Sequence, residues 1–496
     1  MKRRDVLSLL ASSGIYTVTV HAAVEAPRLN TSFPAGDLRR YGVAPSATPA
    51  ANTVALQRCL DESAGKATVR VPAADADYTF AGRITAQTGT TIVLDKGAKL
   101  RWISTELTGG EWLRSATRPG LEVVGDNFSL TGEGHIIGPS TGVYVPTEIG
   151  LFCSGASGAR RRGFIVGKNV NIMNWGSHGI ALNFTSNIEI SAITVHDCGY
   201  AGIQMLSCAD GKILHNEVGA IGPGANGNAY GISCTHDSRY YNQDPQAESN
   251  GRAVANPFCT NMLVEGNTAY DNPLWVGIDF HGAWDCTARA NHVYNCRHGL
   301  TMQGSSGDAI DYSGANNTVV DNSVTTRRLN GDPTTVTAVP RLGISVNGGH
   351  RHRQDRLVVA NNSIDGYGDS VHTSFALQHT NTTNVEITNN KVTNWKGWGC
   401  YSAYSDGIVR GNEFGPPADP TQTACIFVAI GGQLEIAGNR LLVGGGPRPM
   451  YGVYINTPTD QPYRIHDNDF TAVSQWPYAG HNGTRLDPRM VVGGRP

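Results

Sequence analysis

From about residue 65 onward, apolar and polar residues alternate in short runs, and helical periodicity is almost absent. Alternation with a period of two marks strands that bury one face. A phrase of the form apolar-x-x-(Gly/Asn/Asp/His)-Asn-x-apolar recurs as LVEGNTA (263–269), VVDNSV (319–324), VVANNSI (358–364), EITNNKV (386–392), IVRGNEF (408–414), EIAGNRL (435–441) and IHDNDF (465–470). With variants near 216 and 291, the repeating asparagines are Asn216, Asn267, Asn291, Asn322, Asn362, Asn390, Asn412, Asn439 and Asn468. Their spacing is mostly 22 to 31 residues, with insertions in the larger gaps. A second phrase with glycine at its head accompanies the first: GIQM (202–205), GISC (231–234), GIDF (277–280), GLTM (299–302), GISV (343–346) and GVYI (452–455). Repetition at this period suits one coil of three short strands per repeat. Asparagine suits a stacked turn, because it tolerates left-handed geometry and hydrogen-bonds to copies above and below. The expected fold is all-β: one right-handed parallel β-helix over residues 36–490.

One helix interrupts this pattern, from about Thr53 to Ser63. Val54, Leu56, Cys59 and Leu60 form its apolar stripe, and Asn52 is its expected N-cap. Placed at the start of the solenoid, it would cover the open end and block edge-to-edge association. Two insertions, near 237–257 and 327–339, are long enough to act as walls or lids.

Composition narrows the function. Hydrophobic residues make up 40% of the 496, enough for a continuous core. A formal charge of −2 supplies no basic field for nucleic acid. Ten cysteines are too few for a disulfide scaffold; Cys198, Cys234, Cys286 and Cys296 fall on repeat positions and are expected as buried thiols, with one or two disulfides left open. No Cys/His spacing suggests a metal site. Residues 1–23, with Lys2, Arg3 and Arg4 before an apolar run, read as a twin-arginine-like export signal, so the expected location is periplasmic or secreted. No later stretch is apolar enough to span a membrane.

Aligning the glycine-headed phrases brings the candidate chemistry onto one outer face. Ile278 and Phe280 point inward, so Asp279 and His281 point outward. Thr301 with Gln303 and Ser345 with Asn347 occupy the same columns in the next coils; Ser233 and Thr235, followed by His236 and Asp237, precede them. Tyr230, Trp275, Arg297 and His298 stand just before the glycines, and Asp308 lies nearby. Tyr, Trp, Asp, His and Arg therefore converge within about three coils, beside both insertions.

The order DLRRYGVAP, helix, ATVRVPAADADYTFAG, ITAQTGTTIVLDKGAKL resembles the N-terminal signature of the pectate-lyase-like β-helix superfamily, which implies a carbohydrate ligand. The stretch VGIDFHGAWDCTARANHVYNCRHGLTM (276–302) resembles the alginate C5-epimerases. In that resemblance Asp279 and His281 match the catalytic Asp and His, and Arg297, His298 and Gly299 match Arg-His-Gly. Phe280 and Gly282 depart from the family's Pro and acidic residue, and Val276 stands where some members carry Tyr, for which Tyr230 could substitute.

Such a cluster suits proton abstraction beside a uronate carboxylate. Arg297 would neutralise the carboxylate, His281 or Tyr230 would act as base, and Asp279 would orient the imidazole. Trp275 would stack on a sugar; His236, Asp237, Gln303, Asp308 and Asn347 would contact it. Epimerisation and β-elimination share these first steps. A glycoside hydrolase with paired carboxylates drawn from Asp237, Asp279 and Asp308 is the alternative. A non-catalytic polysaccharide-binding or structural module is another, with His350, Arg351, His352 and Arg353 as its patch or as a solvated turn. No cofactor is required, although Ca2+ is compatible, and monomer and trimer both stay open.

Overall fold

In the computed structural model, the described residues are 27–105, 108–109, 116–140, 144–146, 148–156, 158–222, 224, 227–236, 257–306, 311–326, 341–349, 352–369, 371, 373–421, 423–442, 444–456 and 463–486. The expected export signal, the bulk of both insertions, Asp237, Asp308, His350 and Arg351 lie outside them.

The chain is a right-handed parallel β-helix. Strands from Val69 to Ala479 pair, coil upon coil, in one continuous parallel series. Each coil contributes apolar side chains to an uninterrupted interior that includes Ile203, Ile232, Ile278, Leu300 and Ile344.

Two ladders set the rise of this solenoid. Each repeating asparagine donates from Nδ2 to Oδ1 of the next one at 2.9–3.0 Å, from Asn216 through Asn468. The same Oδ1 accepts the backbone N–H of the asparagine below, and Nδ2 also donates to a carbonyl of the preceding coil. The left-handed geometry falls on the preceding residue, not on the asparagine. His215, Gly266, Ala290, Asp321, Asn361, Asn389, Gly411, Gly438 and Asp467 have φ between 52 and 67°. Turning the chain one residue earlier leaves the asparagine side chain free to lie along the ladder.

The second ladder explains the glycine-headed phrase. A Cβ on Gly277 would lie 2.5 Å from Val293 Cγ1 and 3.0 Å from the carbonyl oxygen of Gly299. Gly202, Gly231, Gly299 and Gly343 meet comparable obstacles in the coil above. The glycines therefore permit the close approach of successive coils at this corner.

The helix α1 begins earlier than its periodicity suggests, spanning Pro49–Ser63 with Thr48 as its N-cap. Asn52 is not the cap but lies buried on the inner stripe, bonded to Ala44 and to the carbonyl of Thr79. Ala55 takes the inward place expected of Val54, which is only half-buried. Polar side chains complete the cap. Thr53 Oγ1 exchanges hydrogen bonds with the backbone of Ala81, and Gln57 does so with Thr85. The helix thus saturates an edge that would otherwise recruit another strand. All ten cysteines are buried with free thiols.

Candidate functional site

Tyr230, Asp279, His281, His298, Gln303 and Asn347 lie on the outer face of one sheet of the solenoid. Its strands include Tyr230–Thr235, Thr268–His281, His292–Gln303 and Leu342–Asn347. Their register gives three outward columns. The first carries Ala201, Tyr230, Val276, His298 and Leu342. The second carries Gln204, Ser233, Asp279, Thr301 and Ser345; the third carries His281, Gln303 and Asn347.

Asp279 stands at the centre. It faces away from the interior, yet neighbouring side chains bury it to 1% exposure. Thr301 Oγ1 donates to its Oδ1 at 2.5 Å, with Gln303 Nε2 at 3.4 Å. Its Oδ2 has no hydrogen-bond partner among the described residues and lies 3.8 Å from Nδ1 of the half-exposed His281. Burial raises the Asp279 pKa, opposed first by the adjacent His281 and then by the bonds from Thr301 and Gln303.

The cluster on the His281 side includes a residue the sequence reading missed. Strand Asp311–Tyr312 pairs antiparallel with Ser305–Ser306 and returns Tyr312 to the face. Its ring lies 5.7 Å from His281 and 4.8 Å from His236, with Phe258 packed at 5.4 Å. His236 is buried, and desolvation with nearby His281 pushes its pKa down to about 3. It therefore remains neutral. The only sequence signal for Tyr312 was the polar Gly-Ser run that interrupts the repeat after Gln303.

Tyr230, Trp275, Arg297 and His298 form a second group, not one cluster with Asp279 and His281. His298 pairs with Val276, three residues before the Asp279–Thr301 rung, a separation of about 10 Å along the strand. The Trp275 ring lies 4.9 Å from His298 and under Arg297 at 5.6 Å. Burial and the charges of Arg297 and Arg341 push the His298 pKa down to about 3, which opposes a role as proton donor. Burial raises the Tyr230 pKa strongly, and the charge of Asp279 adds to it. Tyr230 thus stays a phenol and suits proton donation rather than the role of base. Burial, then the proximity of Arg341, lowers the Arg297 pKa; its Nε is buried with no hydrogen-bond partner among the described residues. Two adjacent arginines without a carboxylate partner among these residues favour an incoming anion.

Of the remaining candidates, Asn347 lies beside Ser345 and accepts from Thr380 at 2.6 Å. Arg353 is occupied within the solenoid by Asp406 and the carbonyl of Thr382, which removes it from the proposed basic patch. Tyr200 and His178 extend the face beyond Tyr230: Tyr200 stacks edgewise on both, and His178 Nε2 bonds Gln204 at 2.8 Å.

This is a right-handed parallel β-helix with a polar, ionisable site on one outer face. Residues 161–331, about a third of the chain, match the model of a family described as periplasmic copper-binding protein (NosD). The pre-mature gene product 12 of bacteriophage phi29 superposes with a TM-score of 0.57 at 12% identity, covering 91% of this chain and 58% of that one. The family 28 exopolygalacturonase of Yersinia enterocolitica gives 0.47 at 12% identity (85% and 79% covered), and the periplasmic alginate epimerase AlgG gives 0.36 at 12% (81% and 77%). No curated protein matches the chain by sequence.

Copper would call for His, Cys or Met donors. Every His, Cys and Met of 161–331 is among the described residues, and among those described residues no group of three or more His, Cys, Asp or Glu could hold a metal ion. The thiols of Cys198, Cys208, Cys286 and Cys296 are buried and their pKa values raised by desolvation. The described residues therefore do not fit a copper centre. No helix among them is long and apolar enough to cross a membrane.

Proposed function

We propose that the protein is an exported polysaccharide-active enzyme, periplasmic or secreted, that abstracts the C5 proton of a uronate in an acidic polymer. The observation that carries this reading is the buried Asp279 carboxyl, held by Thr301 on one oxygen and facing His281 with the other. A buried carboxylate is costly while it lacks a counter-charge. Proton uptake by His281 supplies that counter-charge, so abstraction and relief of the burial cost coincide. Arg297 and Arg341 would balance the substrate carboxylate as its enediolate charge grows. Protonated Tyr230 would return a proton to carbon, giving the epimer, or donate to the departing O4, giving an unsaturated product. Trp275 would stack on a sugar, with His236, Gln303 and Asn347 lining its seat.

A glycoside hydrolase is the second reading, favoured by the raised pKa of Asp279, which suits a general acid. Incubation with alginate, pectate and glucuronan separates the two. Ultraviolet absorbance of an unsaturated uronate marks a lyase, and deuterium uptake at C5 without chain cleavage marks an epimerase. New saturated reducing ends would overturn the proton-abstraction reading. His281→Ala should abolish either proton-transfer outcome.

A further inference from the structure

We infer that the same sheet carries an extended glycan-binding strip, running from Asp279 toward the C-terminal coils and seating the unreacted part of the polymer. This rests on the polysaccharide reading above and specifies that the substrate is a long chain, gripped far from the reacting sugar. The second column continues without a break from Asp279 through Thr301, Ser345, Gln378, Tyr401 and Phe427 to Tyr454. Its chemistry changes on the way. Next to Asp279 the outward positions hold hydroxyls and amides, joined by hydrogen bonds from Thr380 to Asn347 and from Asn347 to Ser345.

Beyond Gln378 the same face becomes aromatic. Phe375 and Tyr401 stack at 4.1 Å and 5°, Trp398 and Phe427 at 4.2 Å and 11°, and Phe427 and Tyr454 at 5.3 Å and 19°. Trp398, Tyr401 and Tyr454 remain only partly buried, on a face that looks away from the interior. An outward column of a solenoid needs no aromatic residues for packing, and a contiguous apolar patch in water is unfavourable unless a partner covers it. A polysaccharide presents both surfaces this strip requires. Its pyranose C–H faces suit aromatic rings, and its hydroxyl rims suit the amide and hydroxyl columns. At about 4.8 Å per coil, five steps from Asp279 to Phe427 span about 24 Å, the length of several sugars. Continuity of register with the acid site therefore favours a polymer as occupant, not a single sugar.

The test is native affinity electrophoresis in gels containing alginate, polygalacturonate or glucuronan, with wild type, Asp279→Asn, Trp398→Ala, Tyr401→Ser and Ile165→Ser. Ile165 is exposed on a different sheet and serves as the control. Tyr401→Ser places in its column the residue type already found at Ser345, so it preserves the fold if Trp398→Ala does not. Wild type should be retarded in at least one gel, and Asp279→Asn, which removes turnover, shows whether retardation persists while the polymer stays intact. Trp398→Ala and Tyr401→Ser should bind about tenfold more weakly, and Ile165→Ser should bind as wild type. Unchanged retardation of both aromatic variants, or no retardation of wild type in any gel, would overturn the strip. Retardation without any product would defeat the uronate chemistry and leave the strip standing. Product formed with unchanged aromatic variants would do the reverse.

Discussion

Removing one asparagine from the middle of the ladder should cost far more than removing one from its end. In Asn362→Ala the backbone N–H and Nδ2 of Asn322 lose their shared acceptor, each bond being 2.9 Å long. The carbonyl of Val319 and Oδ1 of Asn390 lose a donor at 2.9 Å. Asn322, Asn362 and Asn390 are all at most 1% exposed, so water cannot replace these partners without opening the coil. A buried polar group left unpaired costs about 1–3 kcal/mol; with partial relaxation of the four affected groups, the loss is about 3–5 kcal/mol. Asn468→Ala removes the matching acceptor from Asn439, but Asn468 is itself only part-buried at the end of the ladder, so water can take the place of its Oδ1, for a loss of about 1 kcal/mol. Denaturant titration followed by far-UV circular dichroism gives both values. Read against each other, they also cancel departures from two-state behaviour common to solenoids. Equal losses for the two variants would refute the claim that the ladder is a buried, mutually dependent network.

Further expectations concern the site and the interior. Asp279→Asn should abolish turnover yet raise the melting temperature at pH 7. A carboxyl whose pKa is raised on folding costs stability once pH exceeds its unfolded value near 3.8, and the amide removes that cost; an unchanged or lower melting temperature would contradict its burial as an uncompensated acid. His379 points into the interior between Val346 and Ser402, and burial pushes its pKa from 6.5 down to about 3. The unfolded chain therefore binds the proton first. Stability is lost as pH falls from 6.5 toward 3, by about 2 kcal/mol at pH 5. His379→Leu should flatten the fall in melting temperature between pH 7 and 5, and parallel curves would refute the assignment. Gly277→Ala should lower both stability and activity, because its Cβ would displace Val293 or the next coil and shift the strand that carries Asp279; normal activity with a normal melting curve would show that the corner has more room than the structure gives it.

Much of the architecture was legible because it is local and repeated. The asparagine ladder, the glycine corner and the alternating core all appear in the sequence at their correct positions, since each coil restates the same constraints. Ser233, Asp279, Thr301 and Ser345 share one rung-to-rung register, as alignment of the glycine-headed phrases predicts. The site was legible only as a face. Its composition placed Tyr230, Arg297 and His298 with Asp279 and His281, whereas the register separates them by three positions along the strand. The Gly-Ser run after Gln303 marks a break in the repeat but does not point to Tyr312, because a strand of two residues outside the repeat carries it. The N-cap was misread for a related reason: Asn52 is a good cap by residue type, but its bond to the carbonyl of Thr79 belongs to the tertiary contact with the first coil.

The sequence by itself determined that this chain is a parallel β-helix with a polar, ionisable outer face, because period-two burial and a stacked turn are properties of a single repeat. Only the tertiary structure decided that an outward aspartate is nevertheless buried, that His236 and His298 are held neutral, and that a distant tyrosine reaches His281. Those outcomes depend on which side chains exclude water from a given carboxyl or imidazole. Exclusion of water is a property of neighbouring coils packed together, and no spacing within one strand records it.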